Sequence, residues 1–209
     1  MIGISTEPAA GESLSGCSKW WGFPDLPESL DWPSVPVNDE GDEYDDPLTF
    51  ICQIRCEELA PFDPEGLLPH TGMLWFFAAL DYFLGNLDAA CYPGLGAWEA
   101  PYFRVLYAPS CEVLHEHSLL YDDGTPAVLP AERLRFYPAD GDSYTRLLGA
   151  PFYEEVSWEV PGMLSLLQID ENDDWGLRFL DSGMLNFMIA PEDLAARRFS
   201  AVRAVLHSA

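Results

Sequence analysis

Short apolar runs rich in leucine, β-branched and aromatic residues, closed off by Gly, Pro or Asp, recur along the chain and predict buried β-strands. They are Leu48 to Ile54, Gly72 to Leu80, Tyr102 to Tyr107, Leu134 to Tyr137, Met163 to Asp170 and Met184 to Ile189. Eighteen prolines argue against long helices in the first half, because each removes a backbone donor and obstructs the preceding turn. The C-terminus predicts the opposite. Pro191-Glu192-Asp193 has the makings of a first helical turn, Ala195, Phe199, Val202 and Leu206 share one face, and Arg197, Arg198 and Arg203 follow toward the end. That pattern predicts an amphipathic helix docked on the sheet, and a shorter helical turn is expected around Glu57 to Leu59.

One pattern occurs twice. The first copy reads Trp21-Gly22-Phe23-Pro24, then Phe50-Ile51-Cys52-Gln53-Ile54, then Gly72-Met73-Leu74-Trp75-Phe76. The second reads Leu148-Gly149-Ala150-Pro151, then Leu166-Leu167-Gln168-Ile169, then Gly183-Met184-Leu185-Asn186-Phe187. The expected fold is therefore α+β: a single domain over 1–209, made of two similar strand-rich half-units, about 19–120 and 145–206, that share one core and carry the C-terminal amphipathic helix. Gln53 and Gln168 would then sit in equivalent places, each pinning a loop through its amide. The seven tryptophans read first as core and loop anchors.

Composition narrows the function. The chain has 48% hydrophobic residues, enough for a packed core, yet 35 Asp plus Glu face only 10 Lys plus Arg, a formal charge of -25. A small domain usually carries a net charge of about 2 to 8 in magnitude. One lysine and nine scattered arginines cannot track a phosphate backbone, so direct nucleic-acid binding is excluded. The longest apolar run, Met73 to Leu80, is too short to span a bilayer. Met1 to Ser15 lack the basic and apolar stretches of a signal peptide, and the five cysteines show no CxxC spacing. A cytoplasmic protein with reduced thiols is expected, monomeric when free because like charge opposes self-association.

Two acidic segments are the candidate partner-binding residues: Asp39, Glu40, Asp42, Glu43, Asp45 and Asp46, and Asp170, Glu171, Asp173 and Asp174. Neither has the ligand spacing of an EF-hand loop, so solvated loops and docking on a basic surface are the readings kept open. His115 and His117 would share one face of a strand, the start of a metal site, but no third ligand is identifiable. No catalytic motif is present, no metal or other cofactor is expected, and the chain does not read as an enzyme.

These residues resemble the YwqG-like bacterial family, a domain of unknown function. The resemblance rests on Trp20-Trp21-Gly22-Phe23-Pro24-Asp25-Leu26-Pro27, Asp31-Trp32-Pro33, Pro47 to Ile54, Leu68 to Phe76, Leu147 to Pro151, Leu166 to Asp170 and Glu192-Asp193-Leu194 with Phe199. One departure is that Leu177 to Leu180 separate Trp175-Gly176 from Asp181-Ser182-Gly183, where the family pattern is a compact Trp-Gly-Asp-x-Gly. The resemblance implies an intracellular α+β protein whose relatives occur beside genes for secreted toxins. Joined to the charge, it leads to the expectation of a cytoplasmic immunity protein that inhibits a cognate toxin, a basic nuclease by preference, through acidic loops. The competing expectation is a small-ligand protein or enzyme with its site in a cleft between the half-units.

Overall fold

A computed structural model describes residues 1–39, 41–140 and 143–209. In chain order its strands are β1 (Ile2–Pro8), β2 (Lys19–Trp20), β3 (Asp25–Leu26), β4 (Ser34–Asp39), β5 (Asp42–Pro47), β6 (Thr49–Arg55), β7 (Met73–Ala78) and β8 (Gly96–Trp98). They continue with β9 (Phe103–Ala108), β10 (His115–Glu116), β11 (Glu132–Pro138), β12 (Arg146–Leu147), β13 (Leu164–Asp170), β14 (Met184–Ile189) and β15 (Arg203–His207). The helices α1 (Cys56–Leu59), α2 (Glu154–Glu159) and α3 (Pro191–Ala195) are short.

Eleven strands form one antiparallel sheet, in the order β8-β15-β14-β13-β12-β1-β11-β2-β6-β7-β9. Its two edges, β8 and β9, are consecutive in the chain and joined by residues 99–102, so the sheet must curl back on itself. The curl brings distant strands together: the ring of Phe187 on β14 lies 5.3 Å from Phe76 on β7 and 6.3 Å from Phe103 on β9. The result is a nearly closed barrel whose interior is the main core. Strand β7 is buried on both faces, with Leu74, Phe76 and Ala78 inside the barrel and Met73, Trp75 and Phe77 in a second apolar cluster outside it.

This architecture corrects the sequence-based one in two respects. The chain is mostly strand, not α+β, and the sheet is not divided into two half-units. Strands β1 and β11, both outside the ranges expected for the halves, pair from Ile2↔Pro138 to Pro8↔Glu132 in the middle of the sheet. Only Ile2 and Ile4 marked β1 in the sequence. Gly3 between them lies under the ring of its cross-strand partner Tyr137, which leaves no room for a Cβ. The C-terminal amphipathic helix is likewise replaced. Helix α3 stops at Ala195, Arg197 turns the chain at φ +58°, and β15 pairs with β14 from Met188↔Arg203 to Met184↔His207. Ala204 and Leu206 face the main core while Val205 packs against Val156 and Val160 around α2. A strand covered on both sides is continuously apolar, and so short a run does not separate strand from helix by its period.

The repeated motif survives as matching local structure within the one sheet. Trp21-Gly22 and Leu148-Gly149 both have positive φ, 56° and 73° against 62° and 112°. β2 pairs Lys19 with Gln53, and β12 pairs Arg146 with Gln168. Each glutamine pins a loop: Gln53 Oε1 accepts from Asp25 N and its Nε2 donates to Cys17 O, while Gln168 Oε1 accepts from Phe152 N and its Nε2 donates to Tyr144 O.

The first copy adds a buried ion pair. Lys19 Nζ lies 2.9 Å from Asp25 Oδ2, with the two side chains 4% and 0% exposed. The same oxygen accepts from Gln53 Nε2 at 2.6 Å and Gly16 N at 3.0 Å, and Trp75 Nε1 donates to the Asp25 carbonyl. Removing one partner of a buried pair strands the other charge. Lys19→Met is therefore expected to lower the unfolding free energy in urea by about 3–5 kcal/mol, and adding Asp25→Asn should restore part of it. An equal loss in both variants would show that the stranded carboxylate is not the cause.

Candidate functional site

The first acidic segment, expected as a loop, is a hairpin. Its strands pair from Ser34↔Pro47 to Asp39↔Asp42, and Gly41 takes φ +101° in the turn while its N–H donates to Asn38 Oδ1. The hairpin stands outside the main sheet. It is rooted by Val35, 3% exposed, which joins Leu48, Phe50 and Phe77 in the outer cluster, and by Trp32 Nε1 donating to Leu48 O at 2.7 Å. Asp42, Glu43 and Asp45 are exposed, and none forms an ion pair among the described residues. Asp39 ends β4, and Glu40 lies outside the described residues. Acidic residues are poor strand formers, so the run hid β5; the outer cluster holds the strand in place.

The second acidic segment is partly consumed by the fold. Glu171 Oε1 accepts from Phe179 N at 2.8 Å and Gly183 N at 3.2 Å, which shapes the loop 171–183. Asp173 pairs with Arg178 Nη2 at 2.6 Å, Asp170 ends β13 half-buried, and Asp174 is exposed. The loop closes one end of the barrel. Trp175 stacks on Trp20 at 5.3 Å and donates to Glu132 Oε1, and Phe179 packs on Phe83 at 5.4 Å. Leu177 and Phe179, both 0% exposed, come from the four residues that lengthen this turn beyond the compact pattern. Their burial gives that departure a structural role.

The two segments approach the same end of the barrel through Asp81, a residue that sequence reasoning missed. Asp81 opens the turn 81–84, and its Oδ1 accepts from Thr49 Oγ1 at 2.7 Å. Burial, and after it the charge of Asp81, push the Asp46 carboxyl up from its ordinary value. From the same turn, the Phe83 carbonyl accepts from Arg178 N in the second loop. Between the hairpin base and the segment 119–129 lies a cavity of about 470 Å³, with Asp46, Thr49 and Asp81 at its polar side and Trp21, Trp32 and Phe50 at its apolar side. It differs in place from the cleft expected between half-units, because the sheet runs unbroken through β12, β1, β11 and β2. A lone aspartate just past an apolar strand carries no mark in the sequence; only the fold brings Asp81 to Asp46.

His115 and Glu116 form β10, which pairs with β3, and the next residue, His117, donates its N–H to Pro24 O. Among the described residues no group of three or more His, Cys, Asp or Glu is placed to hold a metal ion. The five cysteines are free thiols; Cys52, Cys56 and Cys91 are buried, and burial pushes Cys56 up to about 12. Such a thiol holds its proton at neutral pH and is inert as a nucleophile. No helix among the described residues is long and apolar enough to cross a membrane.

A family model described as a domain of unknown function, DUF1963, matches residues 18–158 and 137–207. No curated protein matches the chain.

The raised Asp46 carboxyl has a sign that can be checked. Below the ordinary carboxyl range the folded and unfolded chains both hold this proton. As the pH rises, the unfolded chain releases it first, so the ionised side chain weighs against the folded state at neutral pH. Asp46→Asn is expected to raise Tm at pH 7, with a gain over the unsubstituted chain that shrinks as the pH falls toward 4. Paired thermal melts across this range check it; a lower Tm at pH 7 would contradict it.

Proposed function

The chain belongs to the DUF1963 family, and we propose that it is an immunity protein that binds and inhibits a cognate secreted bacterial toxin. Within the family its motifs resemble those of the YwqG-like members. The observation that carries this reading is the hairpin of residues 34–47, which presents Asp42, Glu43 and Asp45 to solvent with no ion pair among the described residues, on a chain of net charge -25. Uncompensated charge of this kind costs self-repulsion and gains an attractive field for a basic surface. The second acidic loop adds Asp174 near the same end of the barrel.

A basic nuclease is the partner this charge suits best, because carboxylates can occupy a groove built for phosphates. Inhibition needs no covalent step; it follows from covering the groove in the cytoplasm of the producing cell. Charge supplies approach and orientation, whereas desolvated aromatics hold a complex. Exposed aromatic residues stand beside the second loop: Phe152, 44% exposed, packs against Tyr144 and Tyr153, and Tyr153 donates to Ser182 O.

The test starts with the partner that co-purifies stoichiometrically from the native cells. With it, the triple variant Asp42→Asn, Glu43→Gln, Asp45→Asn should associate about tenfold more slowly at low salt, with a dissociation rate changed less than about twofold. Raising the ionic strength to about 0.5 M should erase most of the difference. An association rate indifferent to both salt and the three substitutions would refute the reading.

A further inference from the structure

The cavity at the hairpin base has features that toxin binding does not call for. Its volume, about 470 Å³, falls in the range of small-molecule sites. Asp46 and Asp81 stand at one side with Thr49, and among the described residues no Lys, Arg or His lines it. Neither carboxylate has an ion-pair partner among the described residues. The Thr49 hydroxyl donates its one proton to Asp81 and does nothing for Asp46. Half-buried Asp46 and exposed Asp81 are thus held close with no cationic side chain paired to either among the described residues; burial first, and then these two carboxylates, raise the thiol of nearby Cys91.

A second, independent observation comes from the wall. Trp21 lines the cavity, is 2% exposed, and its Nε1–H, shielded from solvent, has no hydrogen-bond partner among the described residues. Tryptophan N–H groups in protein interiors usually find an acceptor, so an orphan in a cavity wall is an unmet demand. Trp32, also in the lining, has its own N–H satisfied by Leu48 O, which leaves its ring as packing surface.

We propose that this cavity binds an organic cation: an alkylammonium or guanidinium group seated between Asp46 and Asp81, on a stem that packs against Trp21, Trp32 and Phe50. The cation would satisfy both carboxylates by charge-assisted hydrogen bonds, and the indole faces would favour it further. This chemistry can come from a free amine or from a lysine or arginine side chain of a protein partner. The site stands whether or not the partner is a toxin.

The test is calorimetric titration of the full chain at pH 7.5 and low salt with tyramine, agmatine and tyrosol; tyrosol replaces the tyramine ammonium by a hydroxyl. Tyramine and agmatine are expected to bind at one site, and tyrosol at least about tenfold more weakly. Asp46→Asn and Asp81→Asn should each weaken tyramine about tenfold; the asparagine at 81 keeps an oxygen for the Thr49 hydroxyl, and thermal melts verify folding. The hairpin triple variant, which removes more charge at a distance, should change tyramine affinity less than about twofold. Equal binding of tyramine and tyrosol, indifference to Asp81→Asn, or no binding of either amine up to about 10 mM would overturn the proposal. Agmatine that displaces a co-purified partner identifies a partner side chain as the natural occupant, and binding without displacement identifies a free amine. Either result supports the site.

Discussion

The Asp25 carboxylate, buried and charged, is the constraint on which the first half of the barrel depends. Strands β2 and β3 are two residues each, too short to persist on ladder bonds alone. They are held because one aspartate gathers Lys19, Gln53 and the Gly16 amide, while its own backbone is gripped by Gln53 and Trp75. β2 is the link between β11 and β6, so this polar knot keeps the sheet continuous. In the second copy the bonds go to backbone: Arg146 donates to the carbonyls of Ser143 and Ala150, and Gln168 ties the turn through Phe152 N and Tyr144 O. The chain builds the same local shape twice with different electrostatics.

Much of the sheet was legible because its central strands are buried on both faces. Such strands are unbroken apolar runs, and β6, β7, β13 and β14 lie within a residue or two of where the runs placed them, as does the edge strand β9. What escaped is informative in the same terms. β1 offers two isoleucines and then polar residues, since only its first part meets the core. β5 is acidic throughout, and β15 was read as a helix because four apolar residues at suggestive spacing also fit a helical stripe. The repeated glutamines were read correctly as loop pins, since a buried amide flanked by apolar residues has few other ways to satisfy itself.

The candidate site was legible as composition and illegible as geometry. Two acidic segments stood out, yet the sequence could not say that Glu171 would spend its carboxylate on two backbone amides, or that Asp173 would meet Arg178. It could not distinguish Asp46, half-buried beside Asp81, from Asp42, which faces water. The fold sorts like residues into different roles: loop architecture, long-range field, and a short-range pair that burdens the folded state.

The position of β1 bears on how the protein is made. Its two partners in the middle of the sheet, β11 and β12, lie at residues 132–138 and 146–147, so β1 is synthesised long before either exists. A nascent chain must carry it unpaired until residues 132–147 have been made, and a barrel completed this way folds slowly, on contacts of long sequence separation. The strand is suited to that wait: Glu7 and Pro8 end it with a charge and a missing donor, and Gly3 keeps its apolar part from being a strong β-former. The same arrangement makes β1 a natural point of rescue, since a chain stalled before residue 132 leaves this strand free for a chaperone to hold.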